Sequence, residues 1–323
     1  MPMALYPSGF IGASAGLRRM RVRRALKRRC RVLLTSGKNE PILKDGGKTA
    51  GGKAGVFPGR QGGVVMLEKI DVVHFSPAGN TRKAALLLAQ AMAGRTEEYD
   101  LTRPHNTGRS FGPGDVVIVA GPVYGGRLPG VMTERLEEIQ GNGAFAVTLA
   151  VYGNRAYEDA LIELDDSVEK QGFRRLASAA LAAQHSIVTQ LAAGRPDQED
   201  AEEITRSAEE ILSKYEGILS GKEQPGNYSV PGNRPYKNWN PMQAVPLVSD
   251  ACIRCGLCAE KCPVEAIPRE EPEKTDSAKC ILCMRCVSIC PEKARSLPEP
   301  LMAGLEQKLA PFRKIRGKNE WFL

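Results

Sequence analysis

Eight of the nine cysteines in this 323-residue chain lie within one short segment near its C-terminal end. They form two runs with the same spacing, C-x2-C-x2-C-x3-C-P, the first from Cys252 to Pro263 and the second from Cys280 to Pro291. The runs repeat with a period of 28 residues, so the segment is an internal duplication. Thiols packed at fixed short spacing indicate metal ligation rather than disulfide bonds.

This spacing is typical of domains that hold two [4Fe–4S] clusters, each taking three thiolates from one run and the fourth from the other. The predicted ligands of one cluster are Cys252, Cys255, Cys258 and Cys290. The predicted ligands of the other cluster are Cys280, Cys283, Cys286 and Cys262. Zinc is the alternative, because C-x2-C pairs also bind zinc, but zinc sites rarely use four regularly spaced cysteines followed by proline. Residues 249–295 resemble bacterial two-cluster ferredoxins, which implies a small α+β domain.

The net charge of +8 is concentrated in residues 1–65, which hold 14 of the 45 basic residues and two of the 37 acidic residues. The rest of the chain therefore carries a net charge of −4. This distribution argues against nucleic acid as a partner, and no apolar run has the length of a membrane span. We expect residues 1–65 to be a disordered or non-native extension. Met66 is a candidate start, and a transit peptide is compatible with the composition.

Residues 66–219 alternate between apolar runs and segments of helical periodicity. The predicted strands are Ile70–Phe75, Thr96–Thr102, Val116–Tyr124, Ala144–Tyr152 and Leu176–His185. Such alternation predicts an α/β domain built on a doubly wound parallel sheet of five strands. Residues 220–248, rich in Pro, Gly and Asn, are predicted to form a linker. Residues 296–323 are a tail with one predicted helix.

A tight loop of small and hydroxyl residues joins the first predicted strand to a helix. Parallel α/β sheets bind anionic groups at this position, where backbone N–H groups and a helix N-terminus meet. No lysine occupies the position that a nucleotide triphosphate loop requires. The candidate binding residues of this loop are Ser76, Ala78, Gly79, Asn80 and Thr81.

Two further loops follow the third and fourth predicted strands, at the carboxyl ends where ligands bind in such sheets. The candidates after the third strand are Pro122, Val123, Tyr124, Gly125 and Gly126. The candidates after the fourth strand are Tyr152, Gly153, Asn154, Arg155 and Tyr157.

The loop from Ser76 to Thr81 resembles the phosphate loop of flavodoxins, with Ala78 in place of the usual middle Thr and one hydroxyl donor fewer. Residues 66–219, and the later stretch 185–197, resemble the flavodoxin-like domains fused to ferredoxins in anaerobic bacteria and archaea. In flavodoxins the corresponding loops enclose the isoalloxazine ring. The resemblance therefore implies a flavodoxin-like fold that binds FMN, with Tyr124, Tyr152 or Tyr157 stacking on the ring.

Together these features predict an electron-transfer protein that passes electrons between FMN, two [4Fe–4S] clusters and an external redox partner of the ferredoxin, hydrogenase or reductase type. One alternative is an FMN-dependent reductase of a small substrate or quinone, fed by the clusters. The other is a ferredoxin whose α/β domain binds no flavin and only docks to a partner. NAD(P)H as direct donor is least supported, because no G-x-G-x-x-G follows a strand. Low-potential clusters imply a reducing cytoplasm and an anaerobic lifestyle, and the sequence leaves the oligomeric state open.

Overall fold

The computed structural model describes residues 60–61, 64–104 and 108–323. The prediction of a disordered or non-native extension over residues 1–65 therefore lies almost entirely outside the described residues.

A six-stranded mixed sheet forms the centre of the larger domain. Its strands are β1 (Leu67–His74), β2 (Ala93–Asp100), β3 (Val116–Pro122), β4 (Phe145–Tyr152), β5 (Arg174–Ala182) and β6 (Glu320–Phe322). They are arranged in the order β2-β1-β3-β4-β5-β6, and the first five are parallel. The order 2-1-3-4-5 of the parallel strands is that of flavodoxin-like doubly wound folds.

The five predicted parallel strands are all present, and the sheet has a sixth strand that the sequence did not predict. β6 comes from the end of the chain and pairs antiparallel with β5, with Trp321 opposite Ala179. This pairing covers the edge of β5 with the chain's own tail, which removes an open row of backbone donors and acceptors.

The central strands are buried along their length because helices cover both faces of the sheet. Every residue of β4 is buried, and so is every residue of β3 except Pro122. Continuous apolar strands of this kind are typical of parallel sheets packed on both sides. The core accordingly divides into two large apolar clusters, one on each face.

Four helices pack around the sheet: α1 (Asn80–Met92), α2 (Gly130–Leu136), α3 (Ala160–Lys170) and α4 (Gln198–Leu219). α4 begins at Gln198 because Asp197 and Asp200 form a capping box there. The Asp197 carboxylate accepts from Asp200 N, and the Asp200 carboxylate accepts from Asp197 N, so two helix-end donors are satisfied.

The cysteine segment folds into a small module with two one-turn helices, α5 (Leu257–Glu260) and α6 (Arg285–Ser288). A two-residue ladder closes it, with Leu247–Val248 antiparallel to Arg295–Ser296. The predicted tail helix is present as α7 (Glu299–Leu309), followed by a 3-10 turn at Ala310–Phe312.

The remaining strands are two-residue ladders that pair Arg60–Gln61 with Val64–Val65 and Arg109–Ser110 with Ile139–Gln140. Within the residues that the structure describes, no helix has the length and apolar character needed to cross a membrane.

Candidate functional site

A cavity of about 490 Å³ opens at the carboxyl ends of β1, β3 and β4, and we call it the loop cavity. Its volume falls in the range of small-molecule and cofactor sites, roughly 300–1,000 Å³. All three candidate loops contribute to its wall. The predicted residues that line it are Ser76, Ala78, Asn80, Thr81, Pro122, Val123, Tyr124, Gly125, Gly126, Tyr152, Gly153 and Arg155.

The loop after β1 is held in place by its own polar side chains. The Ser76 hydroxyl accepts from the Arg82 N–H at 2.9 Å, and the Asn80 amide donates to the Gln184 carbonyl at 2.7 Å. Gly79 precedes α1 with a φ of +94°, a conformation that glycine adopts without strain. Because the first turn of a helix leaves its N–H groups without intrahelical partners, this edge of the cavity suits an anion.

Two glycines in the loop after β3 leave space for neighbouring side chains. A Cβ atom at Gly125 would lie 2.0 Å from the indole nitrogen of Trp239, and one at Gly126 would lie 2.2 Å from a carboxylate oxygen of Glu158. Trp239 also meets the Tyr124 ring edge to face, with the ring centres 6.5 Å apart. The glycines therefore allow an aromatic residue of the linker to pack directly against this wall.

His185 packs against the loop after β4 at the same cavity. A Cβ atom at Gly153 would lie 2.5 Å from its ring. Burial lowers the pKa of His185 to about 4, and the nearby charge of Arg155 lowers it further in the same direction. The imidazole is therefore neutral near pH 7. Its Nδ1 accepts from the N–H groups of Ile187 and Val188, which leaves the proton on Nε2.

The basic side chains in the wall are Arg155, Lys237 and Lys308, and no described residue of the lining is a carboxylate. Glu158 lies just outside the lining and pairs with both Arg155 and Lys237. Burial opposes ionisation of Glu158, but these two cations more than offset it and hold its pKa below the usual value. Glu158 thus balances the charges of Arg155 and Lys237 in part. Lys308, on the exposed side of α7, is the cation of the rim whose charge is least balanced by a neighbouring carboxylate.

Asn154 and Tyr157, which the sequence placed at the flavin, do not line the cavity, and nor does Gly79. Asn154 instead hydrogen-bonds to the tail, donating to the carbonyls of Phe312 and Ile315 and accepting from Gly317 N. The Tyr157 hydroxyl donates to Glu320 at 2.6 Å. These two side chains turn away from the cavity because the tail returns to the sheet as β6 and needs polar anchors there.

The eight cysteines of the duplicated segment are free thiols that surround two separate cavities. The first cysteine cavity is lined by Cys252, Cys255, Cys258 and Cys290. The second cysteine cavity is lined by Cys262, Cys280, Cys283 and Cys286. Each set thus combines three thiols of one run with the last thiol of the other. Four thiols around a cavity suit a cluster in which each thiolate binds a different iron.

The second cysteine cavity lies directly against the loop cavity. Ile281 and Leu282 line both of them. Burial raises the pKa of Tyr124 well above its usual value, and the charges of Cys283 and Cys280 add to this effect, so the tyrosine also lies within electrostatic reach of that thiol set. The two sites therefore share one wall of side chains.

Two arginines fix the cysteine module to the larger domain. Arg285 donates to the carbonyl of Pro77 in the loop after β1 at 3.1 Å, and Arg135 of α2 donates to the carbonyl of Pro263 at 2.5 Å. These contacts hold the second cysteine cavity next to the loop cavity.

Sequence reasoning missed the residues that close the loop cavity from other parts of the chain. They are Trp239 and Met242 from the linker, Ile281 and Leu282 from the cysteine module, and Leu305 and Leu309 from α7. The available signal was the presence of aromatic residues, Tyr228, Tyr236 and Trp239, in a segment otherwise rich in Pro, Gly and Asn.

Comparison with protein families matches residues 242–295 to the 4Fe–4S dicluster domain. These residues are therefore an iron–sulfur domain of the two-cluster type. No curated protein matches the chain.

Several solved structures are similar to the larger domain. A Streptococcus pneumonia TIGR4 flavodoxin is 21% identical, with 45% of this chain and 99% of that chain covered and a TM-score of 0.34. An FMN-bound Fusobacterium nucleatum flavodoxin is 10% identical, with coverages of 47% and 99% and a TM-score of 0.29. A rubredoxin oxygen:oxidoreductase of Desulfovibrio gigas is 16% identical, with a TM-score of 0.35, and the match spans 48% of this chain and only 38% of that chain.

The order 2-1-3-4-5 of the parallel strands defines the fold of the larger domain. The chain combines a flavodoxin-like α/β domain with a 4Fe–4S dicluster domain, as the sequence predicted.

Proposed function

We propose that this protein is a flavo-iron–sulfur electron carrier with FMN in the loop cavity and one [4Fe–4S] cluster in each cysteine cavity. When bound, FMN exchanges one or two electrons and each cluster exchanges one. The N-terminus of α1 and the loop after β1 are the site for the FMN phosphate, because helix N-termini and the loops before them favour anionic groups. Tyr124 and Trp239 supply aromatic surface for the ring system.

The observation that carries this proposal is the shared wall. Ile281 and Leu282 separate the loop cavity from the second cysteine cavity, so a flavin and that cluster would lie on either side of one layer of side chains. The first cysteine cavity shares no lining residue with the loop cavity, so we place its cluster farther from the flavin than that of the second. Holding the centres on one chain replaces a collision between two proteins with an intramolecular step at high effective concentration.

The protein's own side chains keep this path dry and fixed. Leu282 and Cys283 are buried, and the hydrogen bonds of Arg285 and Arg135 hold the cysteine module against the larger domain. By contrast, all four thiols of the first cysteine cavity are partly exposed. We propose that an external redox protein, of the ferredoxin, hydrogenase or reductase type, exchanges electrons there. A reducing, anaerobic cytoplasm is the compartment that suits such partly exposed clusters.

Cofactor stoichiometry tests the proposal. The protein is purified under anaerobic conditions after cluster reconstitution, and FMN, iron and sulfide are measured per chain. We expect one FMN and about eight irons, the number that two cubane clusters contain. If the protein holds iron but binds no FMN at saturating flavin, it is a ferredoxin with an empty α/β domain, and the flavin assignment is refuted. About four irons would refute the two-cluster assignment.

A further inference from the structure

The duplication in the cysteine module extends to the backbone. Positive φ angles occur at equivalent positions of the two halves, at Arg254 and Leu282 and again at Glu265 and Lys293. After the last cysteine of each run, the N–H four residues on donates to that sulfur at 3.3 Å in both halves. The two thiol sets therefore sit in matching local frames, and a difference between them must come from side chains.

Two equivalent pairs that line the cavities are buried in both halves: Ala266 and Ala294 are identical, and only the pair one residue further on differs. Ile267 in the first half lines the second cysteine cavity, and its equivalent in the second half, Arg295, lines the first cysteine cavity. Both are buried, with exposed fractions of 5% and 3%. At this position one cavity thus has an apolar branched side chain and the other a buried, permanent positive charge. The other charged residues of the two linings are less buried: Arg254 and Glu292 at the first cavity are exposed, and Arg285 at the second is partly exposed. Solvent therefore screens them more than it screens Arg295.

The Arg295 guanidinium is held by neutral acceptors. It donates to the carbonyl of Pro272 and to the Thr275 hydroxyl at 3.1 Å, and no described carboxylate forms an ion pair with it. A buried charge without a counter-ion is costly, so an anionic group is expected beside it. The thiolates of the first cysteine cavity meet this need.

Arg295 lines the first cysteine cavity and does not line the second, where Ile267 takes the equivalent place. Because the interaction of charges weakens with distance, its effect is strongest at the first cysteine cavity.

We propose that Arg295 raises the reduction potential of the cluster in the first cysteine cavity above that of the cluster beside Ile267. Reduction adds one negative charge to a cluster, and a fixed guanidinium stabilises that charge, whereas an isoleucine does not. Electrons then pass from the cluster of lower potential at the shared wall to the cluster of higher potential at the surface. The partner accepts them from that cluster. This inference deepens the proposed function and rests on its assignment of the two clusters.

The test is a redox titration of the fully loaded protein, followed by electron paramagnetic resonance. We expect two one-electron midpoints whose reduction equilibrium constants differ by at least tenfold, which is about 59 mV. Arg295→Met lowers the upper midpoint and narrows the separation, and Arg295→Lys restores most of it. Ile267→Met, the matched control at the equivalent position, leaves the separation unchanged. In Cys290→Ala, which keeps the second set intact, the remaining midpoint is the lower one.

The proposal is overturned if the wild-type clusters titrate together, or if Arg295→Met leaves the upper midpoint in place. If that variant does not retain its iron, the same titration is made on Arg295→Gln, in which the upper midpoint is expected to fall. The separation of the two midpoints in the wild type is the second test. The result is independent of the flavin. Separated midpoints in a protein that binds no FMN would support this inference and refute the flavin assignment. Equal midpoints in a protein that binds FMN would refute this inference and leave the flavin assignment intact.

Discussion

Replacing Asn154 with glycine is expected to release the C-terminal tail while leaving the loop cavity intact. Asn154 is 4% exposed and makes three hydrogen bonds to the tail, of 3.0, 2.8 and 2.8 Å. A buried hydrogen bond contributes roughly 1 kcal/mol net, so losing three costs about 3 kcal/mol. Glycine accepts the φ of +67° at this position, so the substitution adds no backbone strain.

A loss of about 3 kcal/mol raises the population of open tails on the order of 100-fold, because each 1.4 kcal/mol is a factor of ten. Limited trypsin digestion reads this directly, since Arg316 and Lys318 lie in the anchored tail. When opening and closing are fast relative to cleavage, the cleavage rate follows the open population. We therefore expect tail cleavage to accelerate on that scale.

The matched control is Asn142→Gly. Asn142 also has a positive φ, of +46°, and its amide donates to the Ser110 hydroxyl and the Phe111 carbonyl, far from the tail. It carries the same chemical change and the same entropy gain of the unfolded chain. Tail cleavage at the wild-type rate in Asn154→Gly, together with a loss of FMN affinity, would refute our placement and return Asn154 to the flavin site that the sequence predicted.

Three further predictions follow from the two sites. Gly125→Ala weakens FMN binding at least about tenfold, or about 1.4 kcal/mol, because a Cβ there displaces Trp239; Gly221→Ala, with a similar positive φ and open space around it, leaves the dissociation constant unchanged in a fluorescence titration. Because the pKa of His185 in the folded state is lowered to about 4, the unfolded state binds more protons than the folded state between pH 6.5 and 4. Stability therefore falls as pH drops through that window, by about 3 kcal/mol in total, and His185→Gln abolishes this part of the pH dependence in denaturation curves; an identical curve for the variant would contradict it. Cys262→Ser slows electron exchange between flavin and clusters far more than Cys290→Ser, because only the former removes a ligand next to the shared wall, and equal effects in stopped-flow traces would refute that order of centres.

The parallel strands and the cysteine sets were predictable because their signals are local. The apolar run of β3 and the repeated spacing of the two cysteine runs each identify an element without knowledge of the rest of the fold. The loop after β1 was predictable for the same reason, since strand, tight turn and helix follow one another directly.

The sixth strand was not predictable from any local pattern. β6 has only three residues, and it pairs with β5 about 140 residues earlier in the chain. Its position is set by polar anchors at distant sites, such as the Tyr152 hydroxyl that donates to the Lys318 carbonyl. Contacts of this kind are tertiary. From the sequence alone, a tyrosine or asparagine in a loop can therefore be interpreted either as a ligand-binding residue or as an anchor for a distant segment.

The shared wall was likewise invisible in the sequence. In the sequence, Ile281 and Leu282 are two apolar residues between cysteines, and in the structure they line the second cysteine cavity. That they also face the loop cavity depends on how the module docks, through Arg285 and Arg135, and docking leaves no periodic signal.

The central claim is that flavin and clusters exchange electrons within one chain across the wall of Ile281 and Leu282. The most direct measurement is a stopped-flow experiment in which the clusters are reduced and flavin absorbance is followed at several protein concentrations. The account predicts a first-order change of flavin absorbance whose rate constant does not vary with protein concentration. A rate that rises in proportion to concentration would mean that electrons pass between molecules, and it would contradict the account.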